Sequence, residues 1–162
     1  VPNPTDLAAL AEDIARAAGA VLLDHRTRPL VVETKSSSTD MVSQADRAAE
    51  ALIRARLAEA RPDDAILGEE GGDTAGTSGL RWIVDPLDGT TNYLYRLPIW
   101  SVSIAVEDAS GDLVAGCVHD PSRGDRRTLP DWASSPPRST TSTGRTKSAS
   151  CSRSAPACRR MH

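Results

Sequence analysis

A short apolar run that ends abruptly in acidic residues is the feature that most constrains this chain. Residues 82–93 read Trp-Ile-Val-Asp-Pro-Leu-Asp-Gly-Thr-Thr-Asn-Tyr, so two carboxylates, a glycine and a threonine follow the run at once. A second apolar run, residues 65–67, leads into Gly68, Glu69 and Glu70. Two strand ends that deliver acidic side chains to one place predict a site for a hard cation.

The spacing of the two aspartates favours a tight turn with oxygen ligands. Pro86 biases Asp85 toward an extended backbone, and Gly89 permits a turn directly after Asp88. In such a turn both carboxylates and the backbone carbonyl of Leu87 reach one region of space. Ligands that are all oxygens favour Mg²⁺, with Mn²⁺ as an alternative, over zinc.

The neighbouring residues add the parts of a hydrolytic site. A third carboxylate, Glu69, would repel the two aspartates strongly without a cation, and two metal ions would satisfy all three. The hydroxyl of Thr90 is suited to hold an attacking water, with Glu69 or Glu70 as the proton acceptor. Gly89 and Thr90 are expected to open a short helix with free N–H groups for a phosphate. Taken singly, each motif is also typical of a capped turn or a solvated loop.

The hydrophobic pattern predicts an α+β or layered α/β domain. The first helix is predicted over residues 4–25, with Thr5 or Asp6 as its N-cap. The strands that follow the second helix are predicted at residues 65–67, 80–84, 100–106 and 113–119.

A hairpin is predicted between the two helices. Residues 30–35 form its first strand, residues 36–40 its polar turn, and residues 41–43 its return. The second helix is then expected to run from Ser43 or Gln44 to Ala60 and to stop before Pro62. Its apolar face is predicted to include Ala48, Ala51, Leu52, Ala55 and Leu57.

The composition changes sharply after Gly124. Residues 1–124 carry a net charge of −9, whereas residues 125–162 carry +6 and contain one Leu, no Ile and no Val. Such a segment cannot bury enough apolar surface to offset its ordering entropy, which predicts a disordered basic tail. A nucleic-acid-binding arm is a second interpretation. Translation out of frame from a GC-rich gene is the third, and the abrupt change and two stray cysteines favour it.

The remaining composition predicts a cytoplasmic protein. No apolar stretch approaches the ~18–20 residues of a membrane span, and the N-terminus lacks the pattern of a secretory signal. The three cysteines, Cys117, Cys151 and Cys158, have no metal-ligand spacing and fit a reducing compartment. Cys117 is predicted to be a small apolar residue within a strand.

Taken together, the motifs resemble those of the inositol monophosphatase family of magnesium-dependent, lithium-sensitive sugar phosphatases. The resemblance is carried by residues 82–93 and by Gly68-Glu69-Glu70, and it extends over about residues 5–124. Three flanking segments are also similar to the family: residues 35–46, 98–105 and 116–121.

The resemblance implies the N-terminal half of the family's fold, in which two helices pack on a largely antiparallel sheet. It also implies a role for each matching residue. Glu69, Asp85 and the carbonyl of Leu87 match one metal site, and Asp85 with Asp88 matches a second. Gly89 and Thr90 match the phosphate-binding turn, and Glu69 with Thr90 matches the pair that activates water. Three other acidic residues match polar positions near the metals and are expected to act there through water: Asp40, Asp46 and Glu70. For Asp40 and Asp46, a hairpin turn and a helix cap are equally good interpretations.

The activity implied by the resemblance is hydrolysis of a small phosphorylated alcohol, most simply inositol monophosphate. The expected partners are this small-molecule ester and a second copy of the chain, with no membrane and no nucleic acid. The family's Trp-Asp-x-Ala-Ala-Gly-like motif, which brings a further aspartate to the second metal, is absent after Gly124. A truncated, catalytically inert fragment is therefore the alternative, and nucleic-acid binding through residues 125–162 is a third hypothesis.

Overall fold

The computed structural model describes residues 2–27, 35–68 and 72–129, with the backbone alone over residues 35–41. These residues form three helices and six strands. In chain order the elements are α1 (Pro4–Thr27), α2 (Lys35–Ala60), β1 (Ala65–Gly68), β2 (Asp73–Thr74), β3 (Arg81–Asp88), α3 (Thr90–Leu94), β4 (Ser101–Glu107), β5 (Leu113–Asp120) and β6 (Asp125–Leu129).

The six strands form one mixed sheet in the order β2-β1-β3-β4-β5-β6. β1 and β3 are parallel, and every other neighbouring pair is antiparallel. α1 packs against α2, β4 and β5, and α2 packs against β3. The predicted fold class, two helices on a largely antiparallel sheet, is confirmed.

α1 follows its sequence pattern closely but begins at a different cap. The side chain of Asn3 accepts a hydrogen bond from the backbone N–H of Thr5 at 3.1 Å, so Asn3 caps the helix and the predicted caps, Thr5 and Asp6, are wrong. Pro4 fits the first helical position, where no N–H is needed. The buried face consists of Leu7, Ala8, Ala11, Ile14, Ala15, Ala18, Gly19 and Leu22. None of the described helices combines the length and apolar composition that a membrane crossing requires.

The predicted hairpin between the helices is wrong over the residues that the structure describes. α2 begins at Lys35, so the expected turn at 36–40 and return strand at 41–43 are helical. Residues 35–60 contain neither glycine nor proline, and extending a helix that has already formed costs little per residue. The strand-like pattern at residues 41–43 covers only three residues, which is too short to favour a strand over the continuing helix. Most of the expected first strand lies outside the described residues.

The buried face of α2 also differs from the predicted one. Ala51 and Ala55, expected to face the core, are exposed. The residues that pack inward recur at three- and four-residue steps and include two acids: Val42, Ala45, Asp46, Ala49, Glu50, Ile53 and Leu57. Because alanines occur all around this helix, alanine spacing alone does not fix which side is buried.

The core lies between the helices and one face of the sheet. Alternate residues of neighbouring strands share this face, since Trp82 is paired with Val106, which is paired with Ala115. The next row along the strands is formed by Val84, Ile104 and Cys117, all buried. The prediction that Cys117 is a core residue of a strand is therefore confirmed.

β6 lies beyond the predicted domain boundary. Asp125–Leu129 pairs antiparallel with β5 along the sheet edge, although this segment was assigned to the basic tail. An edge strand is held by backbone hydrogen bonds and needs only one covered face, so a polar sequence is able to form it. The sheet thus extends through Leu129, and residues 130–162 lie outside the described residues.

Candidate active site

The last residue of β1 lies beside the part of β3 that leads into the first aspartate. Gly68, the last residue of β1, is paired in parallel with Val84 of β3, so the two strands run in the same direction at this point. Asp85 follows Val84 directly and is half-buried. Glu69 and Glu70 follow Gly68 and lie outside the described residues, so their predicted roles stay predictions.

A pair of hydrogen bonds shapes the turn that follows Asp85. The backbone N–H of Leu87 donates to Oδ1 of Asp85 at 3.1 Å, and the hydroxyl of Thr90 donates to the carbonyl oxygen of Leu87 at 3.0 Å. The Leu87 side chain is buried, which fixes its carbonyl relative to the core. The structure therefore brings together Asp85, the Leu87 carbonyl and Thr90 within one turn.

β3 continues through the aspartates instead of ending before them. Asp85 is paired with Ser103 but Asp88 with Ser101, so the register shifts between the aspartates. Pro86 lies within this irregularity, where its missing N–H costs no regular ladder bond. Asp88 is exposed, and Oδ2 of its carboxylate accepts a hydrogen bond from the Ser101 hydroxyl at 3.3 Å.

Gly89 ends the turn in a conformation that suits only glycine. Its φ of 88° and ψ of 35° are left-handed, and a Cβ would lie 3.0 Å from the carbonyl oxygen of Ile99. The carbonyl oxygen of Gly89 accepts a hydrogen bond from the backbone N–H of Tyr93 at 3.0 Å, so α3 begins directly after Gly89, as predicted. No side chain of the described residues caps this helix at its N-terminus.

An aromatic cluster holds α3 against the core. The Tyr93 hydroxyl donates to the carbonyl of Leu22 at 2.6 Å, and its ring meets that of Trp100 edge-on at 5.1 Å. The Arg26 guanidinium lies 5.9 Å from the Tyr93 ring centroid and 5.8 Å from that of Trp100. Burial raises the pKa of the Tyr93 hydroxyl to about 12, so this contact persists across the neutral range. The end of the turn is thereby tied to α1.

The other predicted acidic positions lie on α2. Asp46 is buried within the helix, well after its first residue, so the alternative interpretation of Asp46 as a helix cap is wrong. Asp40 lies in the first turns of the same helix, which excludes the hairpin-turn interpretation, and its side chain is outside the described residues. Since α2 packs on β3, Asp46 belongs to the layer beneath the strand that carries Asp85.

The oxygen atoms of the turn fit a hard divalent cation. Asp85 and Asp88 offer carboxylates, and the Leu87 carbonyl keeps one lone pair besides the one that accepts the Thr90 hydroxyl. No three His, Cys, Asp or Glu side chains converge within the part of the chain that the structure describes. The third predicted carboxylate, Glu69, lies outside that part.

An ion pair between Glu50 and Arg54 also lies in this region and was not predicted from the motifs. Nε of Arg54 donates to Oε1 of Glu50 at 2.9 Å, and both lie beside Gly68. A glutamate four residues before an arginine on one helix is a recognisable ion-pair signal. The sequence alone does not reveal which side of α2 faces Gly68.

Comparison with known proteins matches this sequence and this fold to one family. A model of the inositol monophosphatase family matches residues 3–153, which runs beyond the motif resemblance. A histidinol-phosphatase of Streptomyces coelicolor is 44% identical over 130 residues, covering 78% of this chain and 48% of that protein. An inositol-1-monophosphatase of Rhizobium meliloti is 53% identical over 83 residues, covering 51% of this chain and 31% of that protein.

Comparison with solved structures supports the same family. The crystal structure of the extragenic suppressor protein SuhB from Bartonella henselae superposes with a TM-score of 0.66 at 38% identity, covering 76% of this chain and 47% of that one. This chain therefore spans about half the length of such relatives, or less. The extent of the family match, joined to a shared fold, decides the assignment: the chain belongs to the inositol monophosphatase family.

Proposed function

We propose that this chain is a metal-dependent phosphomonoesterase that hydrolyses a small phosphorylated alcohol, inositol monophosphate in the first instance. The observation that carries the proposal is the turn from Asp85 to Thr90, whose hydrogen bonds gather oxygen ligands next to Val84, the β3 residue that pairs with the last residue of β1. Membership of a phosphatase family supports the reaction class. The chain to which this activity is assigned spans about half the length of its relatives.

Four groups would hold the metal ions. They are the carboxylates of Glu69, Asp85 and Asp88 and the backbone carbonyl of Leu87. Mg²⁺, or Mn²⁺ in its place, would neutralise these carboxylates and supply the positive charge that phosphoryl transfer needs. Hydrogen bonds hold Asp85 and the Leu87 carbonyl, which are two members of this ligand set.

Thr90 is proposed to orient the attacking water. The proton of its hydroxyl is committed to the Leu87 carbonyl, so the hydroxyl oxygen is left to accept a hydrogen bond from water. A threonine hydroxyl is too weak a base to remove the water proton, which assigns that step to the Glu69 carboxylate, with Glu70 as the alternative. Thr90 is exposed, as a residue that meets a substrate must be.

The phosphate is proposed to bind at Gly89 and Thr90. Gly89 turns the chain through a left-handed conformation, so the first N–H groups of α3 stand at the end of the acidic turn. N–H groups without an intrahelical partner favour anionic oxygens. Asp40 and Asp46 are proposed to act near the metals through water.

The activity is tested with the purified chain and two phosphate esters. We expect Mg²⁺-dependent phosphate release from inositol 1-phosphate that exceeds release from histidinol phosphate. The relatives include an inositol-1-monophosphatase and a histidinol-phosphatase, so histidinol phosphate is the appropriate substrate for comparison. Faster release from histidinol phosphate would keep the reaction class but reject the substrate. If neither ester is hydrolysed while a full-length relative is active in the same assay, the chain is an inert fragment of the family.

The predicted homodimer and cytoplasmic location also stay proposals. Three large apolar side chains between α3 and β4 are well exposed, namely Tyr95, Leu97 and Ile99. Apolar side chains grouped in this way favour contact with another protein surface. Light scattering of the purified chain tests for the dimer, and a mass of about 17 kDa would reject it.

Binding of DNA or RNA that weakens steeply with salt would contradict the expected absence of a nucleic-acid partner.

A further inference from the structure

We propose that Arg54, held by Glu50, is a positioning residue that fixes both ends of the acidic segment 69–71. This inference rests on the proposed function, because Glu69 and Glu70 have roles there in metal binding and water activation. Residues 69–71 lie outside the described residues, so the argument is carried by Gly68 and Gly72 on either side of them.

The far end of the segment is held by the guanidinium of Arg54. Nη2 of Arg54 donates a hydrogen bond to the carbonyl oxygen of Gly72, and Nη1 donates to the Thr74 hydroxyl at 3.3 Å. Thr74 belongs to β2, which pairs with β1 on the sheet edge. Arg54 therefore joins α2 to the point where the chain returns from the acidic segment.

The near end of the segment lies against the same ion pair. A Cβ built on Gly68 would overlap both the Arg54 guanidinium and the Glu50 carboxylate. Such overlap means that the backbone of Gly68 packs directly onto the pair. The strand that leads into Glu69 and the residue that follows the segment are thus held by one side chain.

Burial gives these contacts their strength. The Glu50 side chain is 6% exposed and that of Arg54 is 20% exposed, so water screens their 2.9 Å contact only weakly. Hydrogen bonds between charged groups are shorter and stronger than neutral ones, and the planar guanidinium offers several donors in a fixed fork. Glu50 orients this fork by accepting from Nε, which leaves both Nη groups for Gly72 and Thr74.

A purely structural role is the competing explanation. A glutamate and an arginine four residues apart stabilise an isolated helix only slightly. If that were their role, removing Arg54 would lower the helix stability without changing the acidic segment in particular. Two readouts separate the explanations: hydrogen exchange of residues 68–74, and affinity for Mn²⁺ as a probe ion.

The test compares variants of the whole chain. Arg54→Met removes the donors and keeps the length, and Arg54→Lys keeps the charge without the fork. The double variant Glu50→Gln, Arg54→Met avoids leaving a buried carboxylate without its arginine, which guards against simple unfolding. Arg56→Met is the matched control, because Arg56 lies on the same helix but pairs with Asp13 of α1 on an exposed surface.

We expect amide exchange over residues 68–74 to become at least about tenfold faster in Arg54→Met and in the double variant. The affinity for Mn²⁺ should fall about ten- to a hundredfold, the usual effect of losing a group that orients metal ligands. Arg54→Lys should lie between these variants and the unaltered chain. Arg56→Met should match the unaltered chain in both measurements.

Unchanged exchange over residues 68–74 in both Arg54→Met and the double variant would overturn the inference. Faster exchange with unchanged Mn²⁺ affinity would also overturn it, because the pair would then hold the chain without positioning metal ligands. Failure of the unaltered chain to bind Mn²⁺ would reject the proposed function instead. In that case an exchange difference would still support the contact between Arg54 and the ends of the segment.

Discussion

The hydroxyl of Thr90 donates a hydrogen bond to the backbone carbonyl of Leu87, with 3.0 Å between the two oxygens. Thr90 is exposed, whereas the Leu87 side chain is buried in the core. One short contact thus links a residue that meets solvent to the framework of the sheet. Because the single hydroxyl proton is used in this contact, the Thr90 oxygen is left to accept further hydrogen bonds.

Removing this hydroxyl should reduce catalysis more than stability. In Thr90→Val we expect kcat with inositol 1-phosphate to fall about a hundredfold, because the attacking water loses its acceptor. Loss of the hydrogen bond should cost about 1 kcal/mol in the free energy of unfolding. Thr90→Ser keeps the hydroxyl and should stay within about tenfold of the unaltered kcat. Equal activity of the valine and serine variants would exclude Thr90 from the reaction.

Replacing Gly89 should destabilise the fold for two separate reasons. A left-handed conformation costs a non-glycine residue about 1–2 kcal/mol, and a Cβ at Gly89 also crowds the Ile99 carbonyl at 3.0 Å. We expect Gly89→Ala to lower the free energy of unfolding by about 2–4 kcal/mol when crowding is added to strain.

Gly111 provides the matched control for Gly89. Its φ of 86° is nearly the same as that of Gly89, but a Cβ there meets nothing within 4 Å. Gly111→Ala should therefore show the cost of strain alone, about 1–2 kcal/mol, in the same denaturant titration. Equal losses in the two variants would mean that the backbone at Ile99 and Trp100 moves aside without cost.

Asp64 should make stability depend on pH in the acid range. Burial of its carboxylate opposes ionisation, but hydrogen bonds from Arg61, Ser78 and Trp82 outweigh burial and hold the pKa of Asp64 below its usual range. Arg61 donates to it at 2.7 and 3.0 Å and the Trp82 indole at 2.8 Å. A lowered pKa in the folded state means that the ionised carboxylate stabilises the fold above the unfolded-state pKa.

This contribution is lost as the pH falls below about 4 and through the folded-state pKa. Asp64→Asn should lower the free energy of unfolding by about 2–3 kcal/mol at pH 7. Denaturant titrations at pH 7 and pH 3 should show a smaller difference between variant and unaltered chain at pH 3. A difference that is the same at both pH values would show that the charge of Asp64 does not contribute.

Cys117 should resist alkylation in the folded chain. Burial raises the pKa of its thiol to about 11, so at pH 8 only about one thiol in a thousand is ionised. We expect iodoacetamide to leave Cys117 unmodified in native buffer and to modify it readily in guanidinium, as followed by peptide mass spectrometry. Rapid modification of the native chain would mean that β5 opens to solvent on the time scale of labelling.

Elements with a strong local pattern were predicted well from the sequence. The heptad-like spacing of leucine, isoleucine and alanine in α1 and the apolar runs of β3, β4 and β5 each match their structural counterparts. The turn at Asp85–Thr90 was also predicted, because proline, glycine and aspartate have narrow backbone preferences. Local chemistry suffices for such features.

Features that depend on distant residues were not predicted. The sequence pattern predicts that Ala51 is buried, but the structure exposes Ala51 and buries Glu50, which has Arg54 as a partner beside Gly68. A buried carboxylate is tolerated only when it is paired, and the pairing is visible only in three dimensions. The polar strand β6 was missed because its stability comes from pairing with β5.

The sequence by itself determined the family and the local turn of aspartates, glycine and threonine, whose oxygen atoms are the proposed metal ligands. The tertiary structure decided how those donors are supported. Parallel pairing of β1 with β3 brings Gly68 beside Val84, and packing of α2 places Arg54 against Gly68 and Gly72. The physical reason is range: backbone preferences act between neighbours in the chain, whereas ion pairs and strand pairing join residues that only folding brings together.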